Sequence, residues 1–246
     1  WVRGRPNRMS GEAAFYYGRN DQFAFSPSVA ARFRIVDDNA FDRNSFLIDL
    51  DLAWRTIGIA GPSDSFRAGN PFAGLRFGWR EPTWIFRVGV GTTAPLTNAF
   101  RDGPEDYAAY YYGQALHGGW DGWLLEPEIQ PLITRADFEL HGRWFQLGID
   151  AALGVAFPIR NGGGGNTEVG LESGIFIAVT PIPELAVGGR FQFWFATDWR
   201  AGFRGVDEAQ LSMIPIFIRL QLDGFFAEAR LLMNLDDPYG FAFDDD

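Results

Sequence analysis

The side chains able to do chemistry in this 246-residue chain are mostly charged ones spaced by two. Arg32 and Arg34 stand one residue apart, and so do Asp49 and Asp51. Arg55, Arg76, Arg87, Asp150, Glu168 and Glu172 sit in similar alternating runs, as do Arg190, Arg219, Glu228 and Arg230. A guanidinium is a planar fork that grips carboxylates in pairs of hydrogen bonds. A wall of such groups can replace part of a solute's hydration and set a charge preference. It can also pair with itself and fill a small space with salt bridges. If the two runs pair across a hairpin, Arg32 and Arg34 face Asp49 and Asp51.

Other constellations carry less. His117 lies near Asp106 and Asp121, and a His with a carboxylate can act as a general base; a histidine in a hydrated loop is the favoured reading. His141 follows Glu139 by two residues and reads as a polar residue at an interface. Ser10, Ser26, Ser28 and Ser173 have no evident partner. Gly162–Gly165 lacks the Lys-Ser/Thr of a phosphate loop and reads as a loop tip. Asp236, Asp237 and Asp244–Asp246 offer oxygens of the kind calcium takes, without EF-hand spacing. No catalytic residue, metal site or cofactor is assigned, and the protein is read as a non-enzyme.

The elements that position the charges are strands. Over 45–55, Phe46, Ile48, Leu50, Leu52 and Trp54 alternate with Asp49, Asp51, Ala53 and Arg55. Successive strand side chains point to opposite faces, so one face is apolar and the other charged. The same period recurs around Arg32, Arg76, Arg87 and Asp150, and again around Arg190, Arg219 and Glu228; there Ile214, Ile216, Ile218 and Leu220 are assigned to the apolar face. The runs reach about ten to fifteen residues, against about five or six for ordinary strands, while a tilted strand crosses a bilayer in about 9–11. No sustained helical stripe is present; 105–116 is the nearest candidate. No stretch approaches the apolar length of a membrane helix. The chain opens at Trp1 without a basic-then-apolar leader and reads as mature or truncated.

Composition narrows the class. The net charge is −10, which argues against a nucleic-acid partner. All 21 basic residues are arginine and there is no Cys, which excludes disulfides and thiol catalysis. Apolar residues make up 47%, too many for a disordered chain.

Short turns at 80–83, 141–143, 181–184 and 223–224 alternate with long connections at 57–67, 92–122, 160–167 and 197–208. Trp79 and Trp84 flank one short turn and Trp144 follows another; with Trp54 they are candidate membrane-interface aromatics. In these features the chain resembles bacterial outer-membrane β-barrels over nearly its whole length. The resemblance implies one all-β domain over 1–246: an antiparallel up-and-down transmembrane barrel of twelve strands, or ten, embedded in outer-membrane lipid. Strands at 9–18 and at Tyr239–Phe243 make up the twelve. Against this stands a soluble sandwich, in which the apolar face would be core and the charged face surface. Fold does not select a function. The favoured one is a porin-like channel passing small polar solutes through a narrow charged lumen. The alternative is a non-conducting barrel that scaffolds an envelope assembly. Connection 92–122 holds Tyr107, Tyr110, Tyr111, Tyr112 and Trp120, with Trp123 beside it. These can constrict the mouth, stack on sugars, touch an envelope protein partner, or pack as a cap.

Overall fold

The computed structural model describes residues 7–17, 23–37, 45–60, 65–96, 116–117, 121–125, 129–159, 167–198, 208–222 and 225–235. They form β1 (Asn7–Tyr17), β2 (Phe23–Asp37), β3 (Ser45–Ala60), β4 (Ser65–Ala68), β5 (Phe72–Arg80) and β6 (Trp84–Thr93). A 3-10 turn at Gly122–Leu124 precedes β7 (Ile129–His141), β8 (Phe145–Pro158), β9 (Glu168–Ile182), β10 (Leu185–Asp198), β11 (Glu208–Leu222) and β12 (Phe225–Asn234). The twelve strands make one antiparallel sheet in chain order, with β4 off the path and paired to β3.

One strand, β4, is not among those the alternation places. β3 is 16 residues long, and β5 pairs only with its first part. Ser65–Ala68 supplies the missing partner for Thr56–Ile59, inside the segment read from sequence as a loop. Gly69 and Pro71 separate β4 from β5; proline cannot donate to a ladder. The tail at 239–243 lies outside the described residues, as do 160–166 and 236–246 with their glycine and aspartate runs.

The two faces are opposite in character, and their exposure excludes the sandwich. Phe46 pairs with Trp79, Trp79 with Phe86, Phe86 with Phe138, and Phe138 with Ile149. Ile175 and Phe191 continue the row. This apolar band crosses the sheet, and its members are exposed, from 36% at Phe46 to 49% at Ile149. Asp49, Arg76, Arg87 and Glu172 on the opposite face are buried. A soluble protein does not present such a band to water, whereas a membrane barrel presents it to lipid. Among the described residues no helix is long and apolar enough to cross a membrane, which bears on helices alone.

The sheet curls. Residues of β1 and β2 at one end and of β11 and β12 at the other border the same cavity. The first and last strands therefore face a common space on the charged side, here called the inward face.

One irregularity changes a face assignment. Met213 and Ile216 of β11 are joined to β12 across a β-bulge, with the extra residue next to Pro215. A bulge shifts the alternation by one. Ile214 therefore points inward and is buried, while Ile216 and Ile218 remain outward and exposed. Counting by two across Pro215 had put Ile214 on the apolar outer face.

Candidate functional site

The inward face of β2, β3, β5, β6 and β7 carries a continuous charge ladder. Strand register sets Arg32 opposite Asp51 and Arg34 opposite Asp49. Arg34 pairs with Asp49, and Arg32 Nε lies 2.6 Å from Asp51 Oδ1. Arg76 donates to both sides: Nη2 lies 2.7 Å from Asp51 Oδ2, and Nη1 lies 2.7 Å from Asp137 Oδ1. Arg87 Nε lies 2.6 Å from Asp137 Oδ2, and the same side chain pairs with Glu139. His141 Nε2 ends the ladder 3.4 Å from Glu139. His141 is thus buried beside an acid. Low-dielectric surroundings make each of these contacts strong and each broken one costly.

Arg76 sits on β5 and Asp137 on β7, with β6 between them. Gly89 of β6 stands opposite both Arg76 and Arg135 in register. With no side chain there, the guanidinium reaches across the intervening strand. The arrangement recurs at Arg190 of β10, which donates to Asp150 of β8 through Nη1 at 2.7 Å and Nη2 at 2.8 Å. Gly174 of β9 lies between them; a Cβ on it would come within 2.3 Å of Arg190 Nη2. At the sheet's last pair, Arg219 Nε lies 2.8 Å from Glu228 Oε2. Arg230 shares this inward side and borders the cavity.

Part of the connection between β6 and β7 enters the curl. Trp123 is buried. Its indole lies over Gly154 and Gly170, where an added Cβ would come within 2.4 and 2.5 Å of the ring. Phe72, Leu124, Ile133, Ala152 and Ala156 pack with it. The backbone is also tied: Asn70 N donates to Leu124 O at 2.6 Å. Asp121 adopts a left-handed conformation (φ 56°). Its carboxylate pairs with Arg135, and its carbonyl accepts from Arg55 Nη1 at 3.4 Å. Glu172 is buried at this base.

His117 belongs to the same inserted segment and is buried, not hydrated. Its Nε2 lies 3.0 Å from Ser26 Oγ, and Ser26 Oγ donates to Thr56 O at 2.8 Å. Gln192 Nε2 donates to His117 O at 3.0 Å. The pair therefore pins the segment to β2, β3 and β10.

The remaining candidates separate cleanly. Trp79 and Trp144 are outward and exposed near short turns, and Trp84 is half-buried there. Trp54 is outward too, but it sits on the long-connection half of β3 and its Nε1 donates to Gly69 O at 2.8 Å. Tyr107, Tyr110, Tyr111, Tyr112 and Trp120 lie outside the described residues. Arg135, Asp137 and Glu139 were missed in sequence, although they alternate on β7 as the assigned charges do elsewhere. Phe176, Trp194 and Phe217 also face inward and are buried; read by type, they look like further members of an apolar face.

A cavity of about 830 Å³ runs along this inward face, bordered by Arg76, Arg135, Asp150 and Arg190 on its charged side and by Phe176, Ile214 and Phe217 on the other. The chain superposes on the crystal structure of an outer membrane channel from Pseudomonas putida F1 with a TM-score of 0.57. The match covers 93% of this chain and 85% of that one, at 13% sequence identity. The fold is that of a bacterial outer-membrane β-barrel. No family model and no curated protein matches the chain.

Proposed function

We propose that this barrel resides in the bacterial outer membrane and is a porin-like channel, passing small polar solutes through a narrow charged lumen. The observation that carries the reading is the 830 Å³ cavity against the inward charges. Barrels near eight strands are filled by their own side chains, and those of 16–18 strands leave a wide channel. A twelve-stranded curl with a space of this size falls between. The inserted segment borders this space through Leu116, His117, Asp121 and Leu124. Transport is passive: fixed Arg and carboxylate groups stand in for part of the solute's hydration. Likeness of fold to a channel supports the reading without choosing the solute.

The test is conductance after refolding in detergent and insertion into a planar bilayer. Steady ohmic steps are expected, with ion selectivity shifted by Arg76→Ala and step size increased by Trp123→Ala. Stable insertion without current would overturn the channel. A second reading then stands, in which a non-conducting barrel scaffolds an envelope assembly through connection 92–122. The ion-pair ladder and the buried wedge, which fill much of the inward face, favour that reading over an enzyme. Loss of a co-purifying envelope partner on deleting 97–115 is its expected signature.

A further inference from the structure

We infer that Arg135 is an exchangeable latch for the inserted segment, and that Glu172 is the acceptor it takes when residues 121–125 withdraw from the lumen. The inference rests on the channel reading and concerns how that lumen is regulated. The first observation is a carboxylate without a bond. Glu172 of β9 is fully buried. Asp121 (through its backbone N–H), Arg135 and Arg55 act on it, yet neither of its oxygens completes a hydrogen bond with the described residues. A buried acid in this condition raises the energy of the arrangement that contains it.

The second observation is the row in which it stands. In register, Arg135 of β7 faces Ala152 of β8, and Ala152 faces Glu172 of β9. The sheet bridges one intervening strand twice elsewhere, from Arg76 to Asp137 over β6 and from Arg190 to Asp150 over β9. Those bridges pass Gly89 and Gly174; here the spacer is alanine, the next smallest residue. By that pattern the acid for Arg135 is Glu172. The guanidinium instead pairs with Asp121 of the inserted segment, and its Nε is left without a partner among the described residues. Trp123 packs in one cluster with Ala152, the residue between Arg135 and Glu172. The segment thus takes the cation with one residue and covers the spacer with another. Two arrangements follow: segment in, with Glu172 unbonded, or segment out, with Arg135 on Glu172. The first buries Trp123 and Leu124, and the second relieves the acid. Opposed terms of this kind leave two packings close in free energy.

The experiment uses the full refolded chain, which has no native Cys, with Leu125→Cys as a reporter. Leu125 is buried against Ile57, so a thiol there meets solvent only when the segment withdraws. Alkylation by a water-soluble maleimide in detergent micelles therefore reads the withdrawn population. A hydrogen bond between charged groups, lost from one state alone, shifts such a balance by roughly tenfold or more. In this background Glu172→Gln should slow labelling by at least about tenfold, because it removes the second acceptor and the unbonded charge together. An acid with a merely structural role would loosen the segment on removal; faster labelling, or an unchanged rate, overturns the inference. If that variant does not refold, Glu172→Asp, whose carboxylate is drawn back by one methylene, should slow labelling in the same sense. Asp121→Asn keeps a residue type that tolerates the left-handed backbone, and should speed labelling by at least about tenfold. Labelling that stays absent in that variant overturns the inference. In planar bilayers, Glu172→Gln should favour the lower of two conductance levels and Asp121→Asn the higher. Occupancies that do not follow the labelling rates overturn it too. Insertion without any current defeats the channel reading instead, and the labelling rates then decide the exchange alone.

Discussion

The two halves of the inward face meet the same demand by opposite means. Strands β2 to β7 put Arg and Asp or Glu where a core would be, and each charge there is held by the next. Strands β9 to β11 bury Phe176, Ile214 and Phe217 on the same face. The charged half depends on complete pairing, because a buried ion left alone is expensive. The apolar half depends on volume, and its losses scale with what is removed. A barrel that faces lipid outside is free to combine both inside, since its inner wall need be neither fully wet nor fully dry.

Breaking the charged half should cost most. Arg87→Gln removes the partner of two buried acids, Asp137 and Glu139, and should lower unfolding free energy by about 3–5 kcal/mol. Urea titration of the refolded barrel in detergent checks this; a loss under about 1 kcal/mol would mean the ladder is hydrated and weak. On the apolar half, Ile214→Val should cost only about 0.5–1.5 kcal/mol, the usual range for a deleted buried methylene. The same titration reads it, and no change would return Ile214 to the lipid side of the bulge. The smallest effect is expected at the edge of the sheet. Arg219→Gln breaks a partly exposed pair with Glu228 and should cost less than about 1 kcal/mol. A loss comparable to Arg87→Gln would show that β11 and β12 are as enclosed as β5 and β7.

Much of this was legible from the chain. Strand pleat forces alternation, so a run such as Phe46 to Arg55 declares its two faces without any neighbour. A hairpin pairs adjacent runs, so the meeting of Arg32 and Arg34 with Asp51 and Asp49 follows from local order. Local order ends where a pair skips a strand. Arg76 with Asp137 and Arg190 with Asp150 are invisible to hairpin logic, yet a trace existed: Gly89 and Gly174 sit at inward positions of the strands between. β4 was hidden because four residues are too few to display a period.

Alternation, strand length, arginine usage and the absence of cysteine were determined by sequence alone, because each depends on a residue and its near neighbours. Only the tertiary structure decided that Ile214 turns inward, since a bulge is defined by the partner strand. It also decided that His117 and Trp123 are buried, since the walls that receive them come from residues far away in the chain. Burial of a loop is a property of the space it enters, and that space exists only once the sheet has curled.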